Sequence, residues 1–337
     1  MSNLLPNLFV AAGFATALLA TSPSAASAFE LPDWASEHYR SHPLAGSVWR
    51  GDGSEADLDE VAGAAATADY VLVGETHPNP DHHRLQAKFI RALLVSGRRP
   101  AVVFEMVPAG LQTALDAYVR DNPSDAAGLG AALDWEARGW PAWEIYQPIA
   151  EAALEAGLPM RAGDLDREVI RTIGRQGAAA LDQPDRERLG LDVPLSADHE
   201  ADLLENLRVS HCDLLPEQML KPMLTVQRAR DGALAAAMID AVSNDAGTDG
   251  AVLIAGAGHT RTDWAAPAVL DRLAPGAKVV SIGLIEVEDG QNAFADYADA
   301  PDAPEARYDF VIFTPRSEVK DHCAELGERF ANPAKSD

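Results

Sequence analysis

Several motifs that identify common classes of enzyme and metal site are missing from this sequence. The chain of 337 residues has only two cysteines, Cys212 and Cys323, and no Cys-x-x-Cys spacing, which argues against a metal site built from cysteines. The patterns Gly-x-Ser-x-Gly and His-Glu-x-x-His are also absent, which disfavours an ordinary serine hydrolase and a zinc-binding helix. In an oxidising compartment the two cysteines could form one disulfide, and their spacing leaves that pairing open.

Positive charge is scarce along the chain. Lysine and arginine number 27 against 52 aspartates and glutamates, which gives a formal net charge of −25. Such a balance argues against general nucleic-acid binding and against docking on anionic lipid. Because the acidic residues are spread along the chain, they indicate a soluble acidic surface.

Charged residues of either sign are absent from the first 28 positions. An apolar run from Leu8 to Ala20 is followed by Ala26-Ser27-Ala28, a small-residue cleavage site before Phe29. This pattern predicts a signal peptide over residues 1–28 and a protein that is periplasmic or otherwise exported. A membrane anchor is the alternative, although the run is short for a spanning helix. No cysteine lies near the cleavage site, so a lipid-modified terminus is not expected.

Residues 70–86 bring Glu75 and three histidines together within nine positions. The segment Tyr70–Gly74 is apolar and rich in β-branched residues, which predicts a buried strand. Its glycine allows a sharp turn, so Glu75 and His77 should lie at the carboxyl edge of that strand. Ligands of α/β sheets bind outside this edge, and we therefore expect a functional site here.

A helix is predicted to follow, because Asn79 suits an N-cap and a proline comes next. Helical periodicity continues to residue 96, and His82, His83 and Gln86 fall in the first two turns. The positive end of a helix disfavours imidazolium, so these histidines should tend to stay neutral and able to bind a ligand or a proton.

The remaining pattern predicts an α/β fold. Five further strands are expected at residues 100–105, 158–163, 251–255, 278–285 and 308–313. Strands that alternate with helices indicate a mostly parallel sheet of about five or six strands, with helices on both faces. Residues 29–53 are predicted to form an irregular arm. We expect one domain over residues 29–337, with a helical subdomain inserted at about 165–243.

Polar residues recur where the predicted strands end. Glu75, Glu105, Asp164 and His259 each stand at or just past the carboxyl end of a strand. Since a parallel sheet puts those ends on one side, the four side chains should meet in a single cleft. Gly256-x-Gly258 resembles half of a dinucleotide-binding motif, but its third glycine is missing, so we expect no nucleotide there.

Two kinds of chemistry remain open for this cleft. A divalent metal ion could be bound, or water could be activated by a carboxylate, using Glu75, His77, His82, Glu105 and His259. A tyrosine or histidine could instead bind haem iron, with arginines for the propionates and tryptophans for the ring faces.

Packing offers a simpler explanation for some of these residues. The tryptophans within 135–143 could belong to the core or an interface. Arg230 and Asp231 could form an internal salt bridge that holds a helix to the sheet. Glu105 could be a buried acid that fixes the loop of His77.

A set of short motifs runs from about residue 70 to 262. The first is Gly74-Glu75-x-His77-x-Asn79-Pro80-Asp81-His82-His83-x-x-Gln86 and the last is Gly256-x-Gly258-His259-x-Arg261. Between them lie Phe104-Glu105-Met106, Gly139-Trp140 with Tyr146 and Pro148, Arg167-Glu168-Val169 with Gly177, and Gln227-x-x-Arg230-Asp231. Together they resemble the motifs of the ChaN-type haem-binding proteins of bacterial iron uptake, which are grouped with the Tiki proteins and the erythromycin esterases.

The resemblance implies a haem-binding α/β protein of the cell envelope, in which two protomers pair around cofacial haems. It also implies a tyrosine as iron ligand, and Tyr146 is the tyrosine in a matching segment. The matching motifs supply these candidates for cofactor binding: His77, His82, His83, Tyr146, Arg230, His259 and Arg261. Three of them, Tyr146, His83 and His259, are candidate ligands of the haem iron.

Two functions follow as expectations. The first is an exported, homodimeric haem-binding protein of bacterial iron acquisition, with the outer-membrane haem-uptake machinery as its partner. The alternative is a hydrolase that uses Glu75 and Glu105 as general base and electrostatic partner, with His259 or a divalent metal ion. The resemblance favours the haem-binding protein over the enzyme.

Overall fold

The computed structural model describes residues 29–297 and 306–331, so the predicted signal peptide lies outside the described residues. The strands are β1 (Val48–Arg50), β2 (Glu55–Ala56), β3 (Tyr70–Glu75), β4 (Ala101–Pro108), β5 (Met160–Asp164), β6 (Ala251–Gly256), β7 (Val279–Glu286) and β8 (Phe310–Thr314). The helices are α1 (Leu58–Thr67), α2 (Pro80–Val95), α3 (Gln112–Asp121), α4 (Leu129–Ala132), α5 (Trp143–Ala156), α6 (Arg167–Gln176), α7 (Gln183–Arg188), α8 (Ala197–Ser210), α9 (Glu217–Asn244), α10 (Ala266–Leu273) and α11 (His322–Ala331). Within the described ranges, no helix combines the length and the apolar character needed to cross a bilayer.

One sheet contains all eight strands, in the order β2-β1-β8-β7-β3-β6-β4-β5. The six strands from β8 to β5 are parallel, which confirms the mostly parallel α/β fold. The predicted number of five or six strands is wrong, because β1 and β2 add an antiparallel edge. These strands have three and two residues, too few to show alternation in the sequence, and β1 is held by pairing with the distant β8.

The central strand β3 is buried along its whole length and lies between β6 and β7. A Cβ atom on Gly74 would lie 2.2 Å from Thr260 Oγ1, so only glycine lets β3 approach the turn after β6 this closely. As predicted, Asn79 caps α2, and its side-chain oxygen accepts a hydrogen bond of 2.9 Å from the Asp81 N–H. The loop between strand and helix is therefore fixed at both ends.

The strand β4 extends past its predicted end at Glu105. Pairing with β6 stops at Phe104, and the register with β5 shifts between Phe104 and Pro108. Met106 and Val107 are buried apolar residues that continue the strand beyond this irregularity. Glu105 consequently lies inside a strand, at the point where the backbone ladder is interrupted.

Helices cover both faces of the sheet. Alternate residues of β3 face opposite sides, with Val71 and Val73 packed in the core that contains α1, α2 and α5. Tyr70 and Leu72 pack in the other core, which contains residues of α9 and α10. The long helix α9 brings its middle section, which carries functional candidates, against the sheet.

A disulfide joins Cys212 to Cys323, with the two Cα atoms 5.5 Å apart. It connects the loop between α8 and α9 to the C-terminal helix α11. The structure thus answers the pairing question that the sequence left open.

Candidate functional site

Glu75 is the centre of the first half of the site. Its Oε1 accepts hydrogen bonds from the Tyr146 hydroxyl at 2.7 Å and from His77 Nδ1 at 2.8 Å. Its Oε2 lies 2.9 Å from His83 Nδ1. Burial alone would raise the pKa of Glu75, but the neighbouring His83 and His77 lower it well below the usual value. Glu75 is therefore a buried carboxylate that stays ionised.

Tyr146 and His83 lie beneath the surface of the site. Their ring centroids are 3.7 Å apart, and both side chains are fully buried. His83 Nε2 donates to the main-chain oxygen of His77 at 2.9 Å. Burial and the charge of Glu75 raise the pKa of Tyr146, so its phenol keeps its proton. The structure brings these two of the three predicted iron ligands to Glu75 but presents neither to solvent.

His82 has a structural position. Its Nδ1 accepts a hydrogen bond of 2.8 Å from the Thr76 N–H, so its Nε2 carries the proton and donates to Thr314 Oγ1 at 2.7 Å. Burial, and secondarily the nearby His83, lowers the pKa of His82 to about 3. Both nitrogens are used to hold the loop after β3, and neither is available to a cofactor in this conformation.

His77 is the histidine of this loop that reaches the surface, with 33 % of its side chain exposed. The ring lies edge-on to Trp140, 5.0 Å between centroids. A Cβ atom on Gly256 would lie 3.3 Å from His77 Nε2 and 3.5 Å from Glu105 Oε2, so this glycine leaves room between the two side chains. Burial would lower the pKa of His77, but Glu75 and Glu105 raise it.

Glu105 is the centre of the second half of the site. Its Oε1 accepts a hydrogen bond from Arg230 Nη2 and its Oε2 accepts one from the Gly256 N–H, both at 2.7 Å. Burial would raise the pKa of Glu105, but His259, His77 and Arg230 hold it well below the usual value. Arg230 also donates from Nε to Asp164 Oδ2 at 2.9 Å. The ends of β4, β5 and β6 therefore meet at one buried charge cluster.

His259 links Glu105 to Asp231. Its Nδ1 donates to Asp231 Oδ1 at 2.6 Å, and its Nε2 lies 3.3 Å from Glu105 Oε1. Burial would lower the pKa of His259, but Glu105 and Asp231 raise it to about 10. Asp231 is fully buried and pairs with His259, and Arg230 pairs with Glu105 and Asp164. These are internal ion pairs that hold the long helix to the sheet, the simpler explanation given for the two residues.

The two halves form a line of alternating acids and imidazoles. Tyr146, Glu75 and His77 are joined by hydrogen bonds, Glu105, His259 and Asp231 form the second group, and the two groups meet through the electrostatic attraction between His77 and Glu105. Such a line can hold or move protons between a surface histidine and a buried carboxylate. Across the part of the chain that the structure describes, no three His, Cys, Asp or Glu side chains are grouped to hold a metal ion.

Arg261 lies outside this line. The side chain is buried, and it donates to Asp202 at 2.7 Å and also to Asp263. Its guanidinium stacks on Trp264, 4.8 Å from the ring centroid. The predicted role of Arg261 in cofactor binding would require it to leave these acidic partners.

Sequence reasoning missed Arg138 as a residue of this region. Its Nη1 donates to the main-chain oxygen of Met106 at 2.6 Å, and its Nε donates to that of Leu133 at 2.9 Å. The only available signal was its place just before the Gly139-Trp140 motif.

Residues 61–270 match the family model of haem-binding uptake proteins of the Tiki superfamily, ChaN. The chain belongs to this family. A solved member with a similar fold is ChaN of Campylobacter jejuni, described with cofacial haem binding. It aligns with a TM-score of 0.60 and 19 % identity, over 79 % of this chain and 95 % of that one. At this identity the likeness concerns the fold alone.

Two further comparisons of this ChaN-family chain show a weaker similarity, to proteins of other types. The erythromycin esterase EreC aligns with a TM-score of 0.42 and 13 % identity, over 84 % of this chain and 87 % of that one. The chloroplastic protein RETICULATA-RELATED 5 of Arabidopsis thaliana is 24 % identical over 203 residues, which cover 56 % of this chain. The chain spans only 27 % of the length of that plant protein.

Proposed function

We propose that this protein binds haem as its cargo at the carboxyl edge of the sheet. Membership of the ChaN family supports this function, as does the haem in the Campylobacter relative. The observation that carries the proposal is His77, an imidazole of the site that is partly exposed and stands beside a half-buried tryptophan.

His77 suits haem iron in its hydrogen bonding. Nδ1 donates to Glu75, so Nε2 is the nitrogen that faces a ligand, and iron would bind its lone pair in place of the proton that the raised pKa of His77 favours. A carboxylate behind a ligating histidine fixes the tautomer and makes the ring a better ligand. Trp140 offers an apolar ring beside it for the flat macrocycle. Glu75 would therefore orient the His77 ring, and Trp140 would orient the haem.

Tyr146 and His83 do not fit the iron in this conformation. The Tyr146 hydroxyl is a donor to Glu75, and its raised pKa opposes the phenolate that binds ferric iron. His83 is turned towards Glu75 and the main chain of His77. His259, the third predicted ligand, has its two nitrogens directed at Asp231 and Glu105. We therefore assign the iron contact to His77.

We further propose that the protein acts outside the cytoplasm in bacterial iron acquisition. The predicted signal peptide and the Cys212–Cys323 disulfide both suit an oxidising, exported setting. A haem bound at an open edge would leave one face for a second protomer, which supports a homodimer. The outer-membrane haem-uptake machinery is the class of partner we propose.

Titration with haemin tests the binding function. Binding to the disulfide-bonded protein should shift the Soret band of haemin and should saturate at a fixed ratio of haem to protein. His77→Ala should weaken binding at least about tenfold, the loss of roughly 1.4 kcal/mol. His322→Ala, at an exposed position on α11, is the matched control and should bind like the wild type. If the wild type takes up haemin no better than an unrelated acidic protein, the haem function is wrong.

The Glu105–His259–Asp231 contacts favour hydrolysis as a second candidate function. At neutral pH the raised pKa of His259 keeps its proton in place, so the ring would act as a donor to developing negative charge. His77 would exchange protons with water at the surface. Cleavage of ester or peptide substrates by the haem-free protein, lost in His259→Gln and kept in His322→Ala, would support this function.

A further inference from the structure

Arg138 differs from the other arginines near the site in its partners. Arg230 contacts Glu105 and Asp164, and Arg261 contacts Asp202 and Asp263. Arg138 instead donates only to main-chain oxygens, with no carboxylate at ion-pair distance among residues 29–297 and 306–331.

The third nitrogen of this guanidinium is also unusual. Arg138 Nη2 is buried and has no hydrogen-bond partner within the described ranges. A buried, unsatisfied donor on a charged group costs more than a neutral one and calls for an explanation. Burial lowers the pKa of Arg138, and Asp134 offsets this in part, but a guanidinium remains a cation. An anionic group of a ligand would supply the acceptor that Nη2 lacks.

The position of Arg138 connects it to the proposed haem contact. Its guanidinium carbon lies 5.8 Å from the ring centroid of Trp135. Trp135 in turn lies 6.1 Å from Trp140, whose ring meets His77 edge-on. The cation is therefore connected to the exposed imidazole through two tryptophans, the buried Trp135 and the half-buried Trp140.

We propose that Arg138 binds a carboxylate of the ligand at this site, namely a haem propionate. This inference rests on the proposed haem function, and it replaces Arg230 and Arg261 as the propionate contacts. Nε and Nη1 keep their main-chain partners, and Nη2 can donate a charge-assisted hydrogen bond to one carboxylate oxygen. The side chains that cover Nη2 must move slightly for the contact to form.

The experiment compares haemin with haemin dimethyl ester, in which both carboxylates are capped. The full oxidised protein should prefer haemin over the ester, and Arg138→Gln should weaken haemin binding by about tenfold to a hundredfold. The same variant should bind the ester as the wild type does. Arg138→Lys, which keeps the charge but loses the planar fork, should retain part of the preference.

A second arginine serves as the matched control. Arg98 also donates to main-chain oxygens, those of Ala66 and Ala68, and it pairs with Asp249 near the opposite ends of the strands, so Arg98→Gln should leave both affinities unchanged. If Arg138→Gln weakens haemin and ester equally, Arg138 acts only by holding the main chain, and the inference is wrong. It is also wrong if neither affinity changes. If a folded wild type binds neither ligand, the proposed haem function fails as well.

Discussion

Asp231 Oδ1 accepts a hydrogen bond of 2.6 Å from His259 Nδ1, and this contact joins α9 to the turn after β6. Both side chains are buried, so their attraction is screened little by water. Because α9 comes from the helical segment and the turn from the sheet, this ion pair couples the two at the site, beside the pairs of Arg230 with Glu105 and Asp164. The stability of the protein should therefore depend on the charge of each partner.

Asp231→Asn should destabilise the protein by about 1.5 to 3 kcal/mol at neutral pH, the range for a hydrogen bond to a charged group. Asparagine keeps an acceptor oxygen but removes the negative charge that holds the His259 proton. Urea denaturation measures the loss. Asp240→Asn, on the exposed side of the same helix, is the control and should change the unfolding free energy much less. Equal losses from the two variants would contradict a special role for the buried pair.

The alkaline stability should depend on His259. Burial opposes its charge, yet Glu105 and Asp231 raise the pKa in the folded protein to about 10, above the ordinary 6.5. The stabilisation is therefore complete below pH 6.5 and is lost as the pH rises towards 10, by at most about 1.4 kcal/mol per pH unit. Denaturation curves across this range should show a flatter dependence for His259→Gln. An unchanged slope would show that another group titrates.

The acid stability should depend on His82. Its pKa is about 3 in the folded protein, so between pH 6.5 and 3 His82 binds a proton in the unfolded chain but not in the folded protein. The unfolding free energy should fall with pH in this window, by at most about 1.4 kcal/mol per pH unit from this group. In His82→Asn the amide oxygen replaces Nδ1 as acceptor, and this contribution to the slope should vanish. His322→Asn, an exposed control, should keep it.

The parts of the fold that depend on neighbouring residues could be predicted from the sequence. The strand β3, its glycine and the Asn79 cap are local signals, and the structure reproduces them. The edge strands β1 and β2 could not be predicted, because their pairing depends on β8 at the other end of the chain. The continuation of β4 past Glu105 was equally hidden, since apolar residues there suit a strand or a loop.

The candidate site shows the same division. The rule for parallel sheets places Glu75, Glu105, Asp164 and His259 at one edge, and the structure brings their segments together there. The sequence could not show which histidine of this loop reaches solvent, because that depends on the packing of Tyr146 against His83. Nor could the sequence reveal that Arg138 has no acid beside it.

The disulfide should contribute to stability through the unfolded state. It closes a loop of 111 residues, and the double variant Cys212→Ser/Cys323→Ser should lose about 2 to 5 kcal/mol of unfolding free energy. Adding a reductant to the wild type should produce the same loss in urea denaturation. The double variant should not respond to the reductant, and a response there would point to another cause.

The proposed export can be checked directly. Cleavage after Ala28 should produce a mature protein that begins at Phe29 and is found in the soluble envelope fraction. Mass spectrometry of the purified protein measures its N-terminus. An intact Met1 terminus in the membrane pellet would refute the predicted cleavage.

The order of strands in the sheet also determines when the protein can finish folding. Strand β3 is made early, but its two neighbours begin at Ala251 and Val279. Val48 of β1 must wait still longer, until Ile312 of β8 has left the ribosome. Contacts this distant along the chain form slowly, so the nascent polypeptide keeps its central sheet unassembled until synthesis is nearly complete. A chain whose sheet assembles this late stays unfolded for most of its synthesis, which is the condition that the proposed export through a translocation channel requires.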